Sequence, residues 1–96
     1  MLSKTDIITQ LKSAKPRLDS KYPIKAMALF GSYAREEQNQ LSDVDILVEF
    51  NGRIGIQFID LAEEIEKLLG IHVDLVSRNG IKDKYFKSIS EDLIYV

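Results

Sequence analysis

Three carboxylates stand out by type and spacing. Asp43 and Asp45 are two residues apart in Asp43-Val44-Asp45-Ile46-Leu47-Val48, and Asp74 interrupts the apolar run Val73-Asp74-Leu75-Val76. Residues i and i+2 of a strand share a face, with about 6–7 Å between their roots at ~3.3 Å of rise per residue. Two acids so placed can converge on one ion, and a third from a neighbouring strand completes a site for two. Mg²⁺ takes hard oxygen ligands, commonly one or two carboxylates with phosphate oxygens and water. Three clustered acids without a cation repel one another and raise at least one pKa. Upstream, Gly31-Ser32 follows a short apolar segment. Glycine lets a backbone approach a phosphate closely, and free N–H groups at the start of a helical turn attract anions. The Ser32 hydroxyl adds a donor, and Arg35 is placed to reach a phosphate or a carboxylate. No Gly-Lys-Ser/Thr follows, so this is not a Walker loop.

The elements that must position these residues are legible in the hydrophobic pattern. Ile7, Ile8, Leu11, Ala14 and Leu18 form one helical stripe from Asp6 to about Leu18, opened by a capping-box-like Ser3/Asp6 pair. Pro16 predicts that this helix ends or kinks near Lys15. Ile24–Phe30 reads as a buried strand, Tyr33–Glu36 as a brief helical turn and Glu37–Leu41 as a polar loop. From Asp43 to Phe50 the alternation is strict. Val44, Ile46, Val48 and Phe50 share an apolar face, and Asp43, Asp45, Leu47 and Glu49 share the other. Phe58, Leu61, Ala62, Ile65, Leu68 and Leu69 mark a helix over Ile56–Leu69 that stops at Gly70. Ile71–Val76 is a third strand, with Asp74 and Val76 on one face. A weaker helix follows the Asn79-Gly80 turn, and Leu93–Val96 is a candidate last strand. This order predicts an α/β (α+β) fold, a small mixed sheet with helices packed on one face and the three acids on the uncovered face.

Composition bounds the rest. Ninety-six residues, 45% hydrophobic and 29% charged, predict one globular domain over residues 1–96. The longest apolar run, Ala26–Phe30, is far short of the ~20 residues that span a bilayer. Ser3, Lys4, Thr5 and Asp6 stand where a signal peptide needs apolar residues, which predicts a cytoplasmic chain. With no cysteine and one histidine there is no disulfide, thiolate nucleophile or zinc site. The net charge of −2, from 13 basic and 15 acidic residues, argues against a strongly basic nucleic-acid binder. The charge is unevenly spread: between Glu36 and Asp74, ten carboxylates face only Arg53 and Lys67.

Leu29-Phe30-Gly31-Ser32-Tyr33-Ala34-Arg35, Leu41-Ser42-Asp43-Val44-Asp45-Ile46-Leu47-Val48 and Val73-Asp74-Leu75-Val76 together resemble the nucleotidyltransferase superfamily of DNA polymerase β. They are most similar to its minimal nucleotidyltransferase branch, whose members often accompany a HEPN-domain ribonuclease toxin. The resemblance implies that Gly31 and Ser32, with Arg35 nearby, hold the phosphates of ATP. It implies that Asp43, Asp45 and Asp74 hold two Mg²⁺ ions and do the catalysis, with Asp74 helping to remove the acceptor proton. It further implies transfer of AMP to a tyrosine of the partner toxin, which makes the chain an antitoxin. Glu36 departs from the pattern, because the family usually has glycine after the arginine. Larger relatives carry a helical acceptor domain, so the length predicts an acceptor supplied by a partner or by self-association. Two other outcomes remain open at this level: transfer to a small hydroxylated molecule, and an antitoxin that neutralises by binding alone. His72 is read as a structural or surface residue, Glu49 as standing behind the acids at best, and Tyr33 equally as a packing residue or as a partner or nucleotide contact. Glu63, Glu64, Glu66 and Lys67 are read as the solvated side of the long helix, and Lys82, Lys84 and Lys87 as an exposed helix face that is also able to touch a triphosphate tail or partner acids.

Overall fold

A computed structural model describes residues 2–96. The first helix, α1, spans Lys4–Lys21. Its start is the expected capping box: the Ser3 hydroxyl accepts from the Asp6 N–H (3.1 Å), and the Asp6 carboxylate accepts from the Ser3 N–H (3.0 Å). Those bonds to the ionised form hold the Asp6 carboxyl below its usual range. Of the two outcomes expected at Pro16, a kink or an end near Lys15, the end is overturned, for α1 runs through it to Lys21. Proline in a helix interior costs about 3 kcal/mol. Ile7, Leu11, Ala14 and Leu18 are all buried on one stripe that brackets Pro16. At roughly 1.5–3 kcal/mol per large buried aliphatic side chain, that burial outweighs the local penalty.

Strand β1 covers Ile24–Phe30, β2 Val44–Phe50, β3 Val73–Ser77 and β4 Ile94–Tyr95. Helix α2 covers Gln57–Leu69 and helix α3 covers Asp83–Ile89. The sheet order is β3-β2-β1-β4. β1 runs antiparallel to β2 and to β4, and β2 is parallel to β3. The sheet is therefore mixed, as the pattern predicts.

The alternation in β2 sorts the two faces. Val44, Ile46, Val48 and Phe50 join Met27, Leu29 and Val73 in the main core, beneath Ile7, Leu11 and Leu18 of α1 and Leu61 and Ile65 of α2. Both long helices thus share one face. The short α3 lies against the other, where Ile89 and Phe86 pack with Phe30, Leu47 and Val76. Leu47, the one apolar residue on the acidic side of β2, is explained by that cover. The Asp45 and Asp74 end of the face stays open. At the other side of the core, Lys21 Nζ and the Tyr22 hydroxyl both donate to Glu64 (3.0 and 2.9 Å), tying the end of α1 to α2.

Candidate active site

The site is built at the junction of β1, β2 and β3. In antiparallel register, Phe30 at the end of β1 is the partner of Asp45. In parallel register, Asp45 is the partner of Asp74. Partners in register point to the same side, so two carboxylates from different strands stand side by side. Asp43 lies one residue before β2, with its Oδ1 3.4 Å from His72 Nδ1.

The chain leaves β1 through Gly31, whose φ of +77° is a left-handed conformation that suits glycine. A Cβ there would overlap an Asp45 carboxylate oxygen and stand 2.9 Å from Asp45 Cγ. Gly31 is thus required twice, by its backbone and by the acid it faces. The segment that follows is a single hydrogen-bonded turn. Arg35 N–H donates to the Gly31 carbonyl (3.1 Å), and Glu37 N–H donates to the Ser32 carbonyl (2.8 Å). Glu36 closes this turn at φ +58°, the one non-glycine residue with positive φ among the described residues. A glycine after Arg35, as in the pattern that the motifs resemble, would take that angle without strain.

Electrostatics single out Asp45. Partial burial first, then the negative charges of Asp74 and Asp43, push its carboxyl up to about 6, while the Arg35 charge opposes them. Arg35 itself is not free. Its Nε donates to Glu37 (2.7 Å) and its Nη1 to Asp92 (2.7 Å), bonds that raise the guanidinium further. Arg35 ties the turn to the segment before β4 and reaches the acids through its field.

The structure thus brings Gly31, Asp45 and Asp74 together, with Ser32 half-buried on the adjoining turn and Asp43 close enough to act on Asp45. Among the described residues no three His, Cys, Asp or Glu side chains already stand grouped around a common point for a metal ion. The donor chemistry still fits a hard divalent cation: every candidate ligand is a carboxylate oxygen, and the mutual repulsion at Asp45 is what a cation relieves. Tyr33 is a core residue, 1% exposed, and its buried hydroxyl has no partner. Glu49 is drawn toward Lys25 (3.7 Å), away from the acid pair. Glu66, read from sequence as part of a solvated helix face, accepts from the Val73 N–H (2.9 Å) and lies 3.7 Å from His72 Nε2. Neither Glu66 nor the Arg35 partner Asp92 carries a local sequence signal for these contacts. The first depends on how the chain turns from α2 into β3, and the second joins segments 57 positions apart.

A family profile described as a nucleotidyltransferase domain matches residues 11–96. The chain belongs to the nucleotidyltransferase domain family. It is 48% identical over 98 residues to MJ0128 of Methanocaldococcus jannaschii, provisionally named a protein adenylyltransferase, with all of both chains covered. It is 37% identical over 97 residues to the protein adenylyltransferase MntA of Thermococcus cleftensis, covering 100% of this chain and 98% of that one. Among solved structures, one provisionally named a minimal nucleotidyltransferase superposes with a TM-score of 0.82 at 28% identity, over 97% of this chain and 95% of the other. A toxin–antitoxin structure with AMP-PNP matches at a TM-score of 0.60 and 29% identity, over 84% of this chain and 61% of that chain. A Shewanella oneidensis structure, described as a tri-AMPylated HEPN toxin in complex with an MNT antitoxin, shares the fold at a TM-score of 0.61. Its identity is 22%, over 96% of this chain and 66% of that one. As a member of the family, the chain is a nucleotidyltransferase.

Proposed function

We propose that this nucleotidyltransferase is a cytoplasmic antitoxin that transfers AMP from ATP to a tyrosine hydroxyl of a partner HEPN-domain ribonuclease. The observation that carries the reading is the Asp45–Asp74 pair, opposed across β2 and β3 and roofed by Gly31. The protein adenylyltransferase MntA of T. cleftensis, alike over its whole length, supports the choice of a protein acceptor. In this reading Gly31 and Ser32 hold the β- and γ-phosphates, which is supported by the packing of Gly31 against the Asp45 carboxylate and by the attraction of free turn N–H groups for anions. Arg35 steadies that turn and offsets part of the local negative charge. Asp43, Asp45 and Asp74 hold two Mg²⁺ ions. When bound, the ions supply charge stabilisation for the entering and departing oxygens. Asp74 takes the proton of the acceptor hydroxyl as its oxygen attacks the α-phosphorus, and the bond to pyrophosphate breaks. The tyrosine gains a bulky anionic group that blocks the ribonuclease by charge and size.

The test is incubation with the cognate ribonuclease, Mg²⁺ and α-labelled ATP, beside the Asp43→Asn variant. Label on the ribonuclease that is lost in the variant is the expected result. Neutralisation with no label in either sample would establish an antitoxin that acts by binding alone.

A further inference from the structure

His72 sits outside the acid pair, yet its backbone and its ring both reach the Asp43–Val44 segment that leads into β2. Its carbonyl accepts from the Val44 N–H (3.0 Å), which fixes its backbone beside the residue that follows Asp43. Its ring lies between two carboxylates from different elements, with Nδ1 3.4 Å from Asp43 Oδ1 and Nε2 3.7 Å from Glu66 Oε2. Glu66 is in turn anchored by the Val73 N–H. Glu66, His72 and Asp43 thus stand in a row from α2 to the start of β2, the ring 3.7 Å from the first carboxylate and 3.4 Å from the second. Asp43 precedes β2, so the strand ladder does not fix its side chain as it fixes Asp45.

We infer that His72 is a positioning residue for Asp43: it engages one carboxylate oxygen, Oδ1, and thereby orients the other for a divalent cation shared with Asp45 and Asp74. This rests on the cation site proposed above. A ligating carboxylate whose second oxygen is held by an outer partner binds metal more tightly than a free one. The effect here is moderated by solvent, because the His72 and Asp43 side chains are 67% and 53% exposed.

The experiment measures Mn²⁺ binding to the full chain by electron paramagnetic resonance, with no nucleotide and no acceptor. His72→Ala is expected to weaken Mn²⁺ binding two- to fivefold. His72→Gln, which keeps a side-chain N–H donor, is expected to restore most of that loss. In an Asp43→Asn background, His72→Ala should cost nothing further. Equal affinity in wild type and His72→Ala overturns the inference, as does the same loss in both backgrounds or a His72→Gln variant as weak as alanine. A wild-type chain that binds no Mn²⁺ overturns the cation site itself, and the inference with it. Thermal unfolding of the metal-free variants separates a fold effect from a binding effect. Since His72 is exposed, its replacement should leave the midpoint unchanged.

Discussion

At Asp45 a proton and a cation compete for the same oxygens. Its carboxyl is pushed from 3.8 up to about 6, mainly by burial and then by Asp74 and Asp43. The folded chain therefore holds this proton more tightly than the unfolded chain does. Its contribution to stability falls as pH rises through the window from 3.8 to about 6, then levels off. In metal-free urea titrations, Asp45→Asn should remove that downward trend relative to wild type. Above pH 6 the variant should be the more stable of the two. Glu36 offers a second residue-scale measurement. A non-glycine residue in the left-handed region costs about 1–2 kcal/mol, part of which glycine gives back through its looser unfolded chain. The exposed Lys4–Glu36 pair at 3.6 Å offsets little. Glu36→Gly should therefore stabilise the chain by up to about 1 kcal/mol, read as a shift in the urea midpoint at constant slope. Local spacing made Asp43, Asp45, Asp74 and Gly31 visible in the sequence. It could not show that Arg35 bonds Asp92, 57 positions away, because no local pattern encodes a contact made through the sheet.

At the scale of the elements, the strict alternation of β2 was the most readable feature. Val44, Ile46, Val48 and Phe50 are all buried in the main core. The continuation of α1 past Pro16 is hidden for the opposite reason: proline is a strong local signal, and the burial that overrides it is a tertiary quantity. Pro16→Ala should restore the N–H that an interior helical residue donates to the carbonyl four residues back, here Lys12. It should raise stability by about 1–3 kcal/mol without altering the fold, as measured by chemical denaturation. The place of α3 was equally beyond a local reading. Its weak stripe of Tyr85, Phe86 and Ile89, with Ile81 just before it, says that it packs, but only the second cluster around Phe30 and Leu47 says on which face. Exposed Tyr85, at 45%, lies outside that contact.

Across the whole molecule, the two faces of the sheet have separate tasks. One is sealed by α1 and α2 and holds the bulk of the core. The other is covered by α3 over part of its length and opens at the acids. No helix among the described residues is long and apolar enough to cross a membrane. If the open end takes Mg²⁺ and ATP, the two together must raise the melting temperature, since they bind the folded chain and not the unfolded one. At a hundredfold excess over the dissociation constant the gain is about 2.7 kcal/mol, and either ligand alone should give less. An unchanged melting temperature at saturating concentrations of both would remove the nucleotide site from this end of the sheet.

The contact between Gly31 and Asp45 also orders the mutational history open to such a chain. While the aspartate stands, any side chain at position 31 collides with its carboxylate. Once a residue shorter than aspartate stands at position 45, most of that barrier falls and the backbone angle becomes the main demand for glycine. Decay of the chemistry should therefore begin at position 45 and reach position 31 afterwards. An inactive descendant that keeps the glycine but lacks the acid would be an early stage of that decay. The reverse pairing, an intact aspartate beneath a substituted glycine, should be the rarer of the two.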